Sequence, residues 1–266
     1  MEQGSQFLAK WKYILKIVIP LTILVGVLKL IFHSSGWEFI STNAFSFLSS
    51  VFTGIIFIIG FMLAAILADH KESEKFPGEI IMNLYSISRE ADFLRLKGGI
   101  VEARGMQENL SRFLAEFRSG FLLNQSDRIF EILDSFTENF YAMDEKGVAP
   151  PSMARIKGDQ ANLARVLLRM KSIRDTMFAP GVYSILEAVI VLFGLAILFL
   201  KFDSILFGIY FICFSIFLLS SVLIILKDLE NPFEYKEQDV GINEIDFSLV
   251  FAFENTIKNK LKDGFT

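Results

Sequence analysis

Four long apolar runs, separated by polar stretches of very unequal length, organise this chain of 266 residues. They cover roughly Trp11–Phe32, Ala44–Ala68, Val182–Leu200 and Ile205–Leu226. A helix rises about 1.5 Å per residue and the hydrocarbon core of a bilayer is about 30 Å thick, so about 20 apolar residues suffice to cross it. Each run is therefore a candidate transmembrane helix. The first contains Pro20, with Lys16 and Lys29 towards its ends; the second and fourth are uncharged; the third carries one acid, Glu187. Between the second and third runs, the polar segment repeats at helical period. Ile129, Ile132, Leu133, Phe136 and Phe140 share one face, as do Leu163, Val166, Leu167, Met170, Ile173 and Met177. Breaks are expected at Pro77-Gly78, Gly98-Gly99, Asn124 and Gly147 to Pro151, followed much later by a turn at Asn231-Pro232. An amphipathic helix is expected over Ile245–Lys262. No stretch alternates as a strand would. The expected fold is all-α: helices one and two in 1–68, a helical domain in 69–180, helices three and four in 181–227, and a terminal segment in 228–266.

Composition strengthens the membrane reading. Hydrophobic residues make up 53% of the chain, mean hydropathy is +0.47, and there are 29 phenylalanines. A soluble core of this size does not need so much apolar surface, so the excess is expected to face lipid or partner subunits. The first run is too long for a secretory signal and lacks a small-residue cleavage site, so it is read as a retained helix. The links between helices one and two (His33 to Asn43) and three and four (Lys201 to Ser204) hold one Lys between them. Most basic residues lie between Lys71 and Arg174, with Lys10, Lys12 and Lys16 at the start. The positive-inside rule then places both termini and the central domain in the cytoplasm of a multi-pass cell-membrane protein. Trp37 and Tyr183 suit the headgroup level.

Charge and motif content exclude several functions. A net charge of −4 without a basic half leaves no footprint for nucleic acid. Cys213 is the only cysteine, so no intrachain disulfide or Cys-based zinc site is available. No HExxH, P-loop, nucleophile elbow or Cys/His pair occurs, and neither an enzyme nor a bound cofactor is expected. Glu102, Glu108 and Glu116 are spaced like solvated helix positions, and Asp144-Glu145 like loop surface.

The second run carries the most informative pattern. Ser49, Thr53, Phe57 and Phe61 recur every four residues and form one slowly drifting stripe, continued by Ala64, Ala65 and Ala68. Such a stripe can line a narrow pore, where a hydrophobic constriction gates by excluding water. Taken without any family resemblance, the same residues read more readily as ordinary helix packing and lipid contact. Glu187 has two readings as well, an intramembrane acid with a function or a residue at the headgroup level. Lys29 is expected to snorkel outward.

Leu229-Glu230-Asn231-Pro232-Phe233 follows directly on the fourth helix and resembles the Asn-Pro-Phe segment after the last membrane helix of bestrophins, the pentameric ion channels. Phe57-Ile58-Ile59-Gly60-Phe61 resembles the Phe-x-x-Gly-Phe of the bestrophin pore helix. Pro180-Gly181-Val182-Tyr183 resembles the opening of its third membrane helix, and Asn255-Thr256-Ile257 a stretch of prokaryotic members. The motifs occur in the family's order on a four-helix plan. The resemblance implies a homo-pentamer in the bilayer that passes small monovalent ions, usually chloride, along the second helix.

Carried over, it makes Thr53, Phe57 and Phe61 the pore neck, with Thr53 in place of the usual apolar residue. Val148 and Met153 become candidates for an inner constriction. Asp69-His70-Lys71-Glu72 stands where many bestrophins have Arg-Trp-Trp, and fivefold symmetry would make Asp69 and Glu72 acidic rings favouring cations. Lys71 and Lys75 partly offset them, so the sign of selectivity stays open. Animal bestrophins clasp calcium with an acidic run after Asn-Pro-Phe. Here the corresponding acids, Glu234, Glu237 and Asp239, are interrupted by Lys236. Calcium needs several converging oxygens, so no metal is expected to be held.

Overall fold

A computed structural model of the chain describes residues 2–98, 103–123, 126–175, 180–230, 232–233 and 244–263. The described residues form ten α-helices and no strand: α1 (Glu2–Ser34), α2 (Phe45–Ser73), α3 (Phe76–Gly98), α4 (Ala103–Glu116), α5 (Arg128–Asp134), α6 (Phe136–Glu145), α7 (Pro150–Asp175), α8 (Pro180–Phe199), α9 (Ile205–Glu230) and α10 (Ser248–Asp263). Four candidate membrane spans, Leu15–Ser34, Thr42–Leu96, Gly181–Phe199 and Ile205–Glu230, overlap the four apolar runs, which lie in α1, α2, α8 and α9. The helices outrun the apolar stretches because intrahelical hydrogen bonding continues past the last apolar residue until a breaker intervenes. After α2 the break falls at Glu74-Lys75 rather than at Pro77-Gly78. Pro77 instead sits in the first turn of α3, where its missing N–H costs nothing.

The chain divides into two compact units, Met1–Asp69 with Met177–Glu230, and His70–Thr176 with Asn231–Thr266. The first unit holds the four apolar runs. Its core joins Ile55, Ile59, Met62 and Ile66 of α2 to Leu186, Ile190 and Phe193 of α8 and to Ile212, Ile216 and Leu219 of α9. Aromatic rings reinforce it: Phe52 stacks on Phe193 at 5.6 Å, and Phe45 meets Phe211 edge-on at 5.2 Å. Helices α1 and α9 approach so closely that a Cβ built on Gly26 would lie 2.9 Å from Cys213 Sγ. Small residues permit such contact where lipid supplies no hydrophobic drive between helices. Tyr183, expected at the headgroup level, is packed inside this unit, whereas Trp37 is exposed.

The second unit is built around a phenylalanine ladder. Phe113, Phe117 and Phe121 stack at 6.2 and 6.0 Å, and Phe247 meets Phe117 edge-on at 5.2 Å. After α4 the backbone widens into a π-helical stretch, Phe117–Leu123. Arg174 donates to the Phe121 carbonyl at 3.0 Å, satisfying one of that stretch's end carbonyls. The inward face expected from Ile129 to Phe140 is split, because the chain turns at Ser135 between α5 and α6. Ile129, Leu133, Phe136 and Phe140 are nevertheless buried. Leu163, Val166, Leu167, Met170 and Ile173 line the inner face of α7; Met177 lies outside the described residues. The terminal helix starts at Ser248, three residues later than expected, after Asp246 accepts from the Ser248 N–H at 2.8 Å.

Candidate functional site

One face of α2 has no partner among the described residues. Phe57 and Phe61 are 76% and 70% exposed, Thr53 is also exposed, and Gly54 and Gly60 have nothing within contact range of a built Cβ. The opposite face, Ile55, Ile59, Met62 and Ile66, is buried. A four-residue repeat advances only about 40° per step beyond a full turn, so the three neck candidates stay on one side of the helix. The Thr53 hydroxyl donates to the Ser49 carbonyl at 2.9 Å. Its proton is thereby bound by the backbone, and only its oxygen lone pairs remain for water. Two bare phenylalanines on a helix whose other side is closed form an apolar surface suited to lipid, another copy, or a dewetted channel wall.

Beyond this stripe the expected residues separate. Glu72 makes a bidentate pair with Arg169 of α7 at 2.9 and 2.7 Å, so its charge is offset in place. Asp69 is half-buried. Val148 and Met153, the inner-constriction candidates, are buried in the phenylalanine-centred core of the second unit. Glu187 is paired with Lys227 of α9, a compensation that lets the acid sit in α8. Asn231 and the acids Glu234, Glu237 and Asp239 lie outside the described residues. Pro232 and Phe233 serve packing: the Pro232 carbonyl accepts from the Ile245 N–H at 3.2 Å, and Phe233 stacks on Phe76 at 6.1 Å.

Lys29 corrects the outward snorkel. Its side chain is fully buried, and Nζ donates to the carbonyls of Ile197 (3.3 Å), Leu198 (3.2 Å) and Leu200 (2.5 Å), at the C-terminal end of α8. It pairs with Glu38 at 2.7 Å, and His33 Nδ1 holds the other oxygen of that carboxylate at 2.9 Å. The ammonium also lies 5.0 Å from the centre of the Phe202 ring. A cation at a helix C-terminus meets the negative end of the dipole and orphan carbonyls at once. Sequence reading missed this cluster. The available signal was a lysine within an apolar run, followed nine positions later by the one acid of a short link.

No protein-family model matches the chain, and no curated protein sequence matches it. Solved structures do. Two of them, single-substitution variants of a bacterial bestrophin homologue from Klebsiella pneumoniae, superpose with TM-scores of 0.69 and 0.71 at 18% and 19% identity. They cover 92% and 94% of this chain and 98% and 97% of their own. Another, described as a membrane protein, has a TM-score of 0.71 at 19% identity, covering 92% of this chain and 97% of that one. At such identities the likeness is one of fold, and it extends over nearly the whole of each chain. With four apolar helices in that arrangement, the chain is a multi-pass membrane protein with the bestrophin-like fold.

Proposed function

We propose that this chain is a subunit of a bestrophin-type channel that conducts small monovalent ions through a pore lined by α2. The bare face of α2, with Phe57 and Phe61 exposed while the opposite face is packed, carries the reading. A homo-pentamer would bring five such faces around one axis, with Thr53, Phe57 and Phe61 as a neck that gates by dewetting. Chloride is favoured slightly over cations. Asp69 and Glu72 at the inner mouth would draw cations, and the Glu72–Arg169 pair weakens that pull. Both termini and the second unit are assigned to the cytoplasm of a cell-membrane protein, following the distribution of basic residues. The alternative is a non-conducting scaffold or sensor on the same plan. The replacement of the family's basic-aromatic cluster by Asp69-His70-Lys71-Glu72 favours it.

Ion flux from liposomes holding the purified protein separates the two. Chloride and sodium gradients are tested in turn, and Phe57→Ala/Phe61→Ala is compared with the unaltered chain. The channel reading expects flux, several-fold higher in the double variant because a smaller, less apolar neck wets more easily. Silence under every gradient, or flux indifferent to both phenylalanines, would sink it.

A further inference from the structure

Residues 35–44, which lead into α2, have few means of holding a fixed position. The segment is short, two-thirds of it lacks regular structure, and Gly36 takes the left-handed conformation at φ 70°. Besides the ring contact of Phe39 with Phe199 at 4.6 Å, two polar attachments nevertheless fasten it to the end of α8. One is a backbone bridge: the Ile40 N–H donates to the Phe199 carbonyl at 3.1 Å, and the Lys201 N–H to the Ile40 carbonyl at 3.0 Å. The other is the side-chain cluster in which Lys29 reaches the last carbonyls of α8 and simultaneously pairs with Glu38. Two residues beyond Ile40, a single 3-10 turn, Thr42–Ala44, begins and opens directly into α2 at Phe45.

A fully buried ammonium in an apolar helix is costly unless its partners are fixed. Here four oxygens surround it, three of them backbone carbonyls: Ile197 and Leu198 in the last turn of α8, and Leu200 just past its end. Glu38 supplies the one side-chain oxygen of the four, and it belongs to the segment that precedes α2. The pair therefore ties the start of α2 to α1 and α8 together.

We infer that Lys29 and Glu38 are positioning residues for α2: the buried pair sets where, and at what angle, that helix begins. The consequence for ion passage rests on the channel reading, while the placement of α2 does not.

The test uses the full chain in detergent and in liposomes, with Lys29→Met, Glu38→Gln and the double variant. Each single change leaves one buried charge or its carbonyl partners uncompensated, and melting should fall by about 10 °C. The double variant should recover most of that loss, because both charges leave together. A nitroxide is placed at Ser46→Cys, an exposed site in the first turn of α2, with Cys213→Ser removing the native thiol. A second label at Leu168→Cys on α7 reports general loosening. The expected result is a Ser46 label more mobile in the double variant than in the unaltered chain, with the Leu168 label unchanged. If the singles fail to fold, the double variant carries the same reading. A Ser46 label unaltered in the double variant, or thermal losses that simply add, would overturn the inference. Flux is read on the same samples. A silent unaltered chain would end the channel reading and leave the label result standing, whereas flux that changes in the double variant joins the two.

Discussion

Glu38 illustrates how a single residue's environment is decided by opposing effects. Burial pushes its carboxyl up, and the hydrogen bonds and charges of Lys29 and His33 outweigh that, leaving it below the ordinary value of 4.5. A group lowered on folding adds stability that is present in full above its unfolded pKa and is lost as pH falls through the folded one. Thermal melts between about pH 3 and 7 should therefore show a loss of melting temperature below about pH 4.5. In the Lys29→Met/Glu38→Gln variant that acid-side loss should shrink. Equal acid sensitivity in both would remove Glu38 from the account. Thr53 shows the same dependence on context: it puts a hydroxyl where an apolar residue is usual, yet the proton of that hydroxyl is given to the Ser49 carbonyl.

At the scale of elements, the α1–α9 contact is the most demanding. A methyl group on Gly26 would meet Cys213 Sγ at 2.9 Å, closer than unstrained packing allows, so Gly26→Ala forces the thiol or the helices to shift. Melting temperature should drop in Gly26→Ala, and Cys213→Ala added to it should restore most of the loss by removing the obstructing atom. A further drop on adding Cys213→Ala would mean the thiol's own packing matters more than the close approach. The extents of α2, α8 and α9 were readable within a few residues because apolar run length is a local property. The turn at Ser135 was not, since its residue keeps helical dihedrals and the flanking apolar residues maintain their period across it.

For the whole molecule, the decisive quantity is how many copies close around the bare face of α2. A fivefold assembly has a mass of five protomers of 30.2 kDa, which native mass spectrometry of the detergent-released protein can resolve. The proposal expects that species to dominate. A monomer or dimer as the sole species would deprive Thr53, Phe57 and Phe61 of a common axis and leave the scaffold reading in place. The apolar excess noticed in composition agrees with either lipid or subunit contact, and mass is the property that separates them.

By itself, the sequence determined the helical class, the four spans, the helical segment between the second and third, and the stripe on α2. Each of these depends on run length or on a period of a few residues, which neighbouring positions encode together. Tertiary structure alone decided what the charges do. Lys29 meets carbonyls 168 to 171 positions away, and Glu72 meets Arg169 97 positions away. It also decided that Val148 and Met153 join the core of the second unit. Burial and pairing depend on which distant elements pack together, and no local pattern of hydrophobic and polar residues records that.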